Sequence, residues 1–247
     1  MKKMHLFAGV AAALLVAGCG NSDNSLKMIT EATFPPYEFM RGTEIVGIDV
    51  EICRRIAQQM KRELSVEDAK FDAVIPSLIS GKADLAAAGI TVTEDRRKRV
   101  DFSVPYVTTG CVFIRKKGTG FAVAADAKGR KVGVQSGTTS DTFCVEQLKQ
   151  EPERFDSPAA AVAALKGGKV EVVLADIDPA KNCVKGDPTL EISDLVTRED
   201  YAIAVRKGNT KLLFAVNKVI KKLQKSGELA KIVKQYTEEA DRLKEAK

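Results

Sequence analysis

The chain has 247 residues, 39 Lys plus Arg against 33 Asp plus Glu, and hydrophobic side chains make up 45% of it. That apolar share suits a packed globule, and the length allows one large domain or two modest lobes. The single histidine is His5, and there is no tryptophan. Beyond the first residues the chain therefore lacks Ser-His and Cys-His nucleophile systems and histidine metal sites.

The start reads as an export signal. Lys2 and Lys3 precede an apolar run from Leu6 to Val16, and small residues Ala17 and Gly18 lead into Cys19. This order predicts a cleaved signal over 1–18, and Cys19 stands where a lipoprotein signal carries its lipid. The apolar run is too short for a membrane span. The expected location is the periplasm or envelope surface, held at the membrane through lipid on Cys19. Removing Lys2 and Lys3 leaves 37 basic residues against 33 acids, a balance of +4. The Lys-rich stretch near the end lies on the polar face of an amphipathic helix without interleaved aromatics, so no nucleic-acid partner is expected.

Residues 19–25 read as a polar tether, and Leu26 to Thr30 begins an alternation of strands and helices. Ile52, Ile56 and Met60, four apart, place a helix over Ile48–Met60. A second runs from Phe71 to Gly81, and Asp84 to Ile90 reads as an apolar strand. Thr93 is a hydroxyl cap followed by acids in the first turn of the next helix. Val100 to Arg115 reads as two extended pieces broken at Pro105. Lys131 to Gln135 is a strand, Ser136 to Thr139 a turn, and Ser140 to Gln150 a helix. Pro158 opens another helix at its first position, ended by Gly167-Gly168. Val170 to Ala175 is a buried strand, with Asp176 at its end. Tyr201 to Arg206 is a strand, and two helices broken near Ser226-Gly227 close the chain. Such alternation implies an α/β protein with largely parallel sheets.

Open α/β sheets bind ligands at the carboxyl ends of their strands, where the polar residues of interest cluster. Glu31 and Phe34 follow the first strand; Gly89, Thr91 and Arg96 follow another. Gln135, Thr138 and Thr139 mark the end of the next, and Asp176 ends the fifth. An anion near Thr91 would meet backbone donors, a hydroxyl and a guanidinium together, while an ammonium would want Asp176. One cation and one anion with aromatic walls suit a zwitterion. Each residue also has a plainer reading: Arg96 as part of a solvated basic run, Asp176 as a helix cap, Phe34 as core.

In order along the chain, Thr30-Glu31-Ala32-Thr33-Phe34-Pro35-Pro36-Tyr37, Gly47-Ile48-Asp49-Val50-Glu51, Phe71-Asp72-Ala73-Val74-Ile75-Pro76, Ala88-Gly89-Ile90-Thr91-Val92-Thr93-Glu94-Asp95-Arg96 and Gln135-Ser136-Gly137-Thr138-Thr139 resemble the motifs of polar amino-acid-binding proteins of ABC importers. The resemblance implies a two-lobed periplasmic-binding-protein fold of type II, with two crossover hinge strands and a ligand cleft between the lobes. Lobe one is then 26–110 with 200–247, and lobe two 111–199. It assigns Arg96, Thr91 and Thr139 to a ligand carboxylate, Asp176 and a backbone oxygen near Ala88 or Gly89 to the ammonium, and Phe34 and Phe71 to the side chain. Ala88 stands where some relatives have serine. No cofactor or metal is implied; the partners are a small-molecule amino acid, an importer permease and its ATPase, and the protein is expected as a monomer.

Glu31 as an acid in the pocket, and Gln135 where glutamine-binding relatives tend to carry lysine, make the arginine-binding branch the expected one; glutamine, lysine and ornithine are the alternatives. A dehydratase on the same fold is a rival, with Glu31 or Glu38 as its general acid. One branch bridges two cysteines seven apart on the first helix; here Cys53 faces Met60 at that spacing, which removes the bridge. Cys144 and Cys183 are left either paired with each other or as buried free thiols.

Overall fold

A computed structural model of the chain describes residues 24–121 and 124–245. The expected signal over 1–18 and the lipidation residue Cys19 lie outside these described residues. The first strand, β1 (Ser25–Thr30), alternates its faces: Leu26 and Met28 enter one core and Ile29 another, as a strand covered on both sides does. A small meander follows, β2 (Thr33–Phe34), β3 (Glu38–Arg41) and β4 (Glu44–Val46). Its polar Arg41-Gly42-Thr43-Glu44 turn interrupts any readable apolar alternation. Helix α1 (Ile48–Gln59) buries Ile48, Ile52 and Ile56 on one stripe, each contributing roughly 1.5–3 kcal/mol by leaving water.

Then come β5 (Glu63–Asp68), α2 (Phe71–Ser80), β6 (Leu85–Ala86), α3 (Glu94–Arg99) and β7 (Val100–Phe102). Thr93 caps α3 as expected, its hydroxyl accepting from the Arg96 backbone N–H at 3.2 Å. The strand expected over Asp84–Ile90 keeps just Leu85 and Ala86 in the ladder, because the chain then turns away at Gly89, with φ +52°.

The first crossover, β8 (Val107–Thr109), leads to the second lobe: β9 (Cys111–Lys116), β10 (Val132–Gln135), α4 (Thr139–Glu146), β11 (Glu153–Phe155), α5 (Pro158–Lys166), β12 (Val172–Asp176), α6 (Ile177–Val184) and β13 (Leu190–Leu195). The return crossover is β14 (Glu199–Tyr201), after which β15 (Ala204–Arg206), α7 (Thr210–Ser226) and α8 (Glu228–Glu245) rejoin the first lobe.

Among the described residues each lobe holds a five-stranded sheet, ordered β5-β1-β6-β15-β7 in one and β11-β10-β12-β9-β13 in the other. β8 and β14 pair antiparallel with Glu199 opposite Thr109. The chain is thus a two-lobed α/β protein joined by two crossover strands. Each sheet is covered on both faces. In the first lobe Val216 and Ile232 of α7 and α8 fill one side and Val74 and Leu78 of α2 the other. In the second lobe Cys144 packs on one face of the sheet and Cys183 on the other. The Cys144–Cys183 bridge is therefore not formed: all four cysteines among the described residues are free.

Candidate functional site

The carboxyl ends of β1, β6, β10 and β12 converge between the lobes. Phe34, Phe71, Gly89, Thr91 and Arg96 from the first lobe and Gln135, Thr138, Thr139 and Asp176 from the second line one small, nearly filled cavity. The first-lobe wall is cationic and aromatic. The Arg96 guanidinium lies over the Phe71 ring, 5.4 Å from its centroid, donates to Thr91 O at 2.8 Å and reaches across to Gly137 O at 3.1 Å. Burial pulls Arg96 down from its ordinary value, while Glu199 and Asp176 work in the opposite direction. Gly89 is required here: beyond its left-handed φ, a Cβ would meet Phe34 Cε1 at 2.6 Å. Its N–H is held by Asp49 Oδ2 at 2.9 Å, a buried carboxylate of α1.

The second-lobe wall is anionic and helix-terminal. Thr138 caps α4, its hydroxyl accepting from Asp141 N at 3.4 Å, which leaves the start of this helix at the cavity. Gly137 allows the lobes to close, since its Cβ position lies 3.1 Å from Asp72 Cβ of the first lobe. Asp176 accepts the Tyr201 hydroxyl. Burial, then the neighbouring Glu199, push its carboxyl up to about 7. Glu199 is itself buried, and its oxygens act as acceptors. Thr91 Oγ1 donates to Oε2 at 2.5 Å and Thr139 Oγ1 at 3.0 Å; Thr197 Oγ1 and Cys111 Sγ lie on Oε1 at 3.1 and 3.3 Å. Ligand atoms of Cys111, Asp176 and Glu199 lie within 4.8 Å of one another, as a metal would need, but hydroxyls and a thiol already fill the Glu199 oxygens. The arrangement is two neighbouring buried carboxylates, Asp176 accepting from Tyr201 and Glu199 from Thr91 and Thr139.

A cationic clamp in one lobe facing an acid in the other, on this topology, agrees with what the chain is similar to. The model of bacterial extracellular solute-binding proteins, family 3, matches residues 26–239. The chain belongs to this family. It is 32% identical to ABC transporter arginine-binding protein 1 of Escherichia coli (strain K12) over 244 residues, 96% of this chain and 99% of that one. The L-cystine-binding protein TcyJ of the same strain is 31% identical, with 93% and 95% covered. Among solved structures, an ancestral arginine-binding protein bound to arginine is 37% identical with a TM-score of 0.80, over 86% of this chain and 98% of that one.

Within this family 3 fold, nine of the eleven sequence-chosen cleft residues line the cavity. Two do not. Ala88 is packed into the first-lobe core. Glu31 is buried beside Gln135 and takes the Thr33 hydroxyl on Oε1, while Oε2 has no hydrogen-bond partner. Burial raises the Glu31 pKa from its ordinary value, and the Thr33 and Gln135 contacts oppose that rise. Gln135 also donates to Asp156 O at 3.1 Å. The Thr91 hydroxyl, expected on a ligand carboxylate, is held by Glu199 instead. Glu38, the other acid considered as a general acid, sits fully buried in the first-lobe core and is not part of the cavity wall. Glu199 and Tyr201 were missed. Their signal was present as an acid and a tyrosine two apart, hence on one face of a strand, just ahead of the strand read from Tyr201.

Proposed function

We propose that this chain captures a polar amino acid, L-arginine by preference, between its lobes outside the cytoplasm and delivers it to an ABC importer. The observation that carries the reading is the pairing of Arg96 with Asp176 across one small cavity between Phe34 and Phe71. Arg96 and the start of α4 take the α-carboxylate, Asp176 takes the α-ammonium, and the two rings flank the side chain. Several family relatives named for arginine support the preference. So does Glu31, a buried carboxylate beside the cavity residue Gln135. A guanidinium stacked on aromatic faces and paired with a carboxylate suits that lining. In the same reading, residues 1–18 are a signal, Cys19 carries the lipid, and the protein works as a monomer with the permease and its ATPase.

A thermal-shift panel over the amino acids, with ornithine and citrulline, tests this. At a hundredfold excess over its dissociation constant a ligand adds about 2.7 kcal/mol to the folded state, so arginine is expected to raise Tm most. A clear shift with glutamine and none with arginine overturns the specificity and leaves amino-acid capture standing.

A further inference from the structure

We propose that Glu199 is a positioning residue of this cleft: from the second crossover it ties one hydroxyl from each lobe and, set beside Asp176, reserves the far wall for an amine cation. The inference rests on the amino-acid-binding reading above. Glu199 begins β14, with its side chain on the same face as Tyr201. One oxygen, Oε2, holds Thr91 of the first lobe and Thr139 of the second. These threonines ride on different lobes, so an opening motion about the crossovers breaks at least one of the two bonds. Glu199 thereby senses closure at the hinge itself.

Oxygens of Asp176 and Glu199 lie within 4.8 Å of each other, and a like charge that near disfavours the ionised form of Asp176. The groups facing Asp176 are Arg96, Cys111, Tyr201, Tyr37 and Glu38. Of these Arg96 is the cation; it partly offsets the two acids while its guanidinium donates to Thr91 O and Gly137 O. Without ligand, burial first and the neighbouring Glu199 second favour a proton on Asp176, against the pull of Arg96. An entering ammonium replaces that proton: the Asp176 carboxyl releases H⁺ to solvent, and the carboxylate pairs with the ligand –NH₃⁺. Net charge in the pocket is conserved. A neutral group at this wall leaves the proton on Asp176 and gains no ion pair, and an anion meets like charge, so Glu199 selects for the amine without touching it.

The test is a ¹³C-carboxyl NMR titration of wild type, Glu199→Gln and Glu199→Asp, with Asp176→Asn assigning the resonance, alongside calorimetric titration with arginine between pH 6 and 8. In Glu199→Gln the Asp176 midpoint is expected to fall by roughly one pH unit or more. In Glu199→Asp, which keeps the charge and shortens the reach, it stays near the wild-type value. Wild-type affinity should tighten with rising pH by up to about tenfold per unit below that midpoint, and Glu199→Gln should be flatter. An unchanged midpoint in Glu199→Gln, or equal shifts in both variants, overturns the proposal. A moved midpoint with no amino acid binding wild type upholds the carboxylate pairing and overturns the reading that it serves an amine.

Discussion

The protein builds the same chemical trio twice, two carboxylates and a tyrosine, and gives it two fates. In the first lobe Glu38, Asp49 and Tyr106 are all buried, with Glu38 and the Tyr106 hydroxyl facing Asp49. At the cleft Asp176, Glu199 and Tyr201 stand in a comparable relation. The first trio is sealed, and its work is internal: Asp49 holds the Gly89 N–H and so shapes the loop under Phe34. The second meets the cavity, where Asp176 can exchange its proton for a ligand charge. Burial raises the acids in both places, Asp49 to about 6 and Asp176 to about 7. What separates structural from functional acids here is access, not the size of the shift.

The largest effect that sharpens this contrast is expected from Asp176→Ala. Leaving a ligand ammonium buried without its partner costs about 3–5 kcal/mol, so arginine affinity should fall by a factor on the order of 100 to several thousand. The melting temperature of the free protein should hardly fall. Asp49→Asn should do the reverse, keeping arginine affinity within about tenfold of wild type while changing the response of stability to pH. The sign follows from the raised carboxyl. Folded Asp49 keeps its proton up to about pH 6, whereas the unfolded residue loses it near pH 4. Its contribution is therefore full below about pH 4 and is lost as pH rises to 6, by up to about 1.4 kcal/mol per unit. Urea melts across this range should show a shallower decline in Asp49→Asn than in wild type. Equal slopes would dissolve the distinction between the two trios.

Much of the cleft was legible because its residues follow strand ends in an α/β alternation, and because they sit in motifs shared with a known family. Arg96, Thr138, Thr139 and Asp176 were placed by that logic and line one cavity. What stayed hidden depends on partners distant in sequence. Glu199 gains its meaning from Thr91, 108 residues away, and Glu31 is diverted by Thr33 and Gln135 in ways no spacing reveals. The meander strands β2 to β4 and the edge strand β11 run for two to four residues each, too short for a periodic signal. The fates of Cys144 and Cys183 were undecidable until the sheet placed them on opposite faces.

In the proposed function a charge clamp closes over a zwitterion, with Arg96, which lines the cavity, as its cation. Calorimetric titration of Arg96→Ala with arginine, beside wild type under the same conditions, tests this most directly. A loss of affinity on the order of 100-fold or more is expected, because a carboxylate in the closed cleft is then left unpaired. Binding of arginine by Arg96→Ala at wild-type affinity would contradict the account.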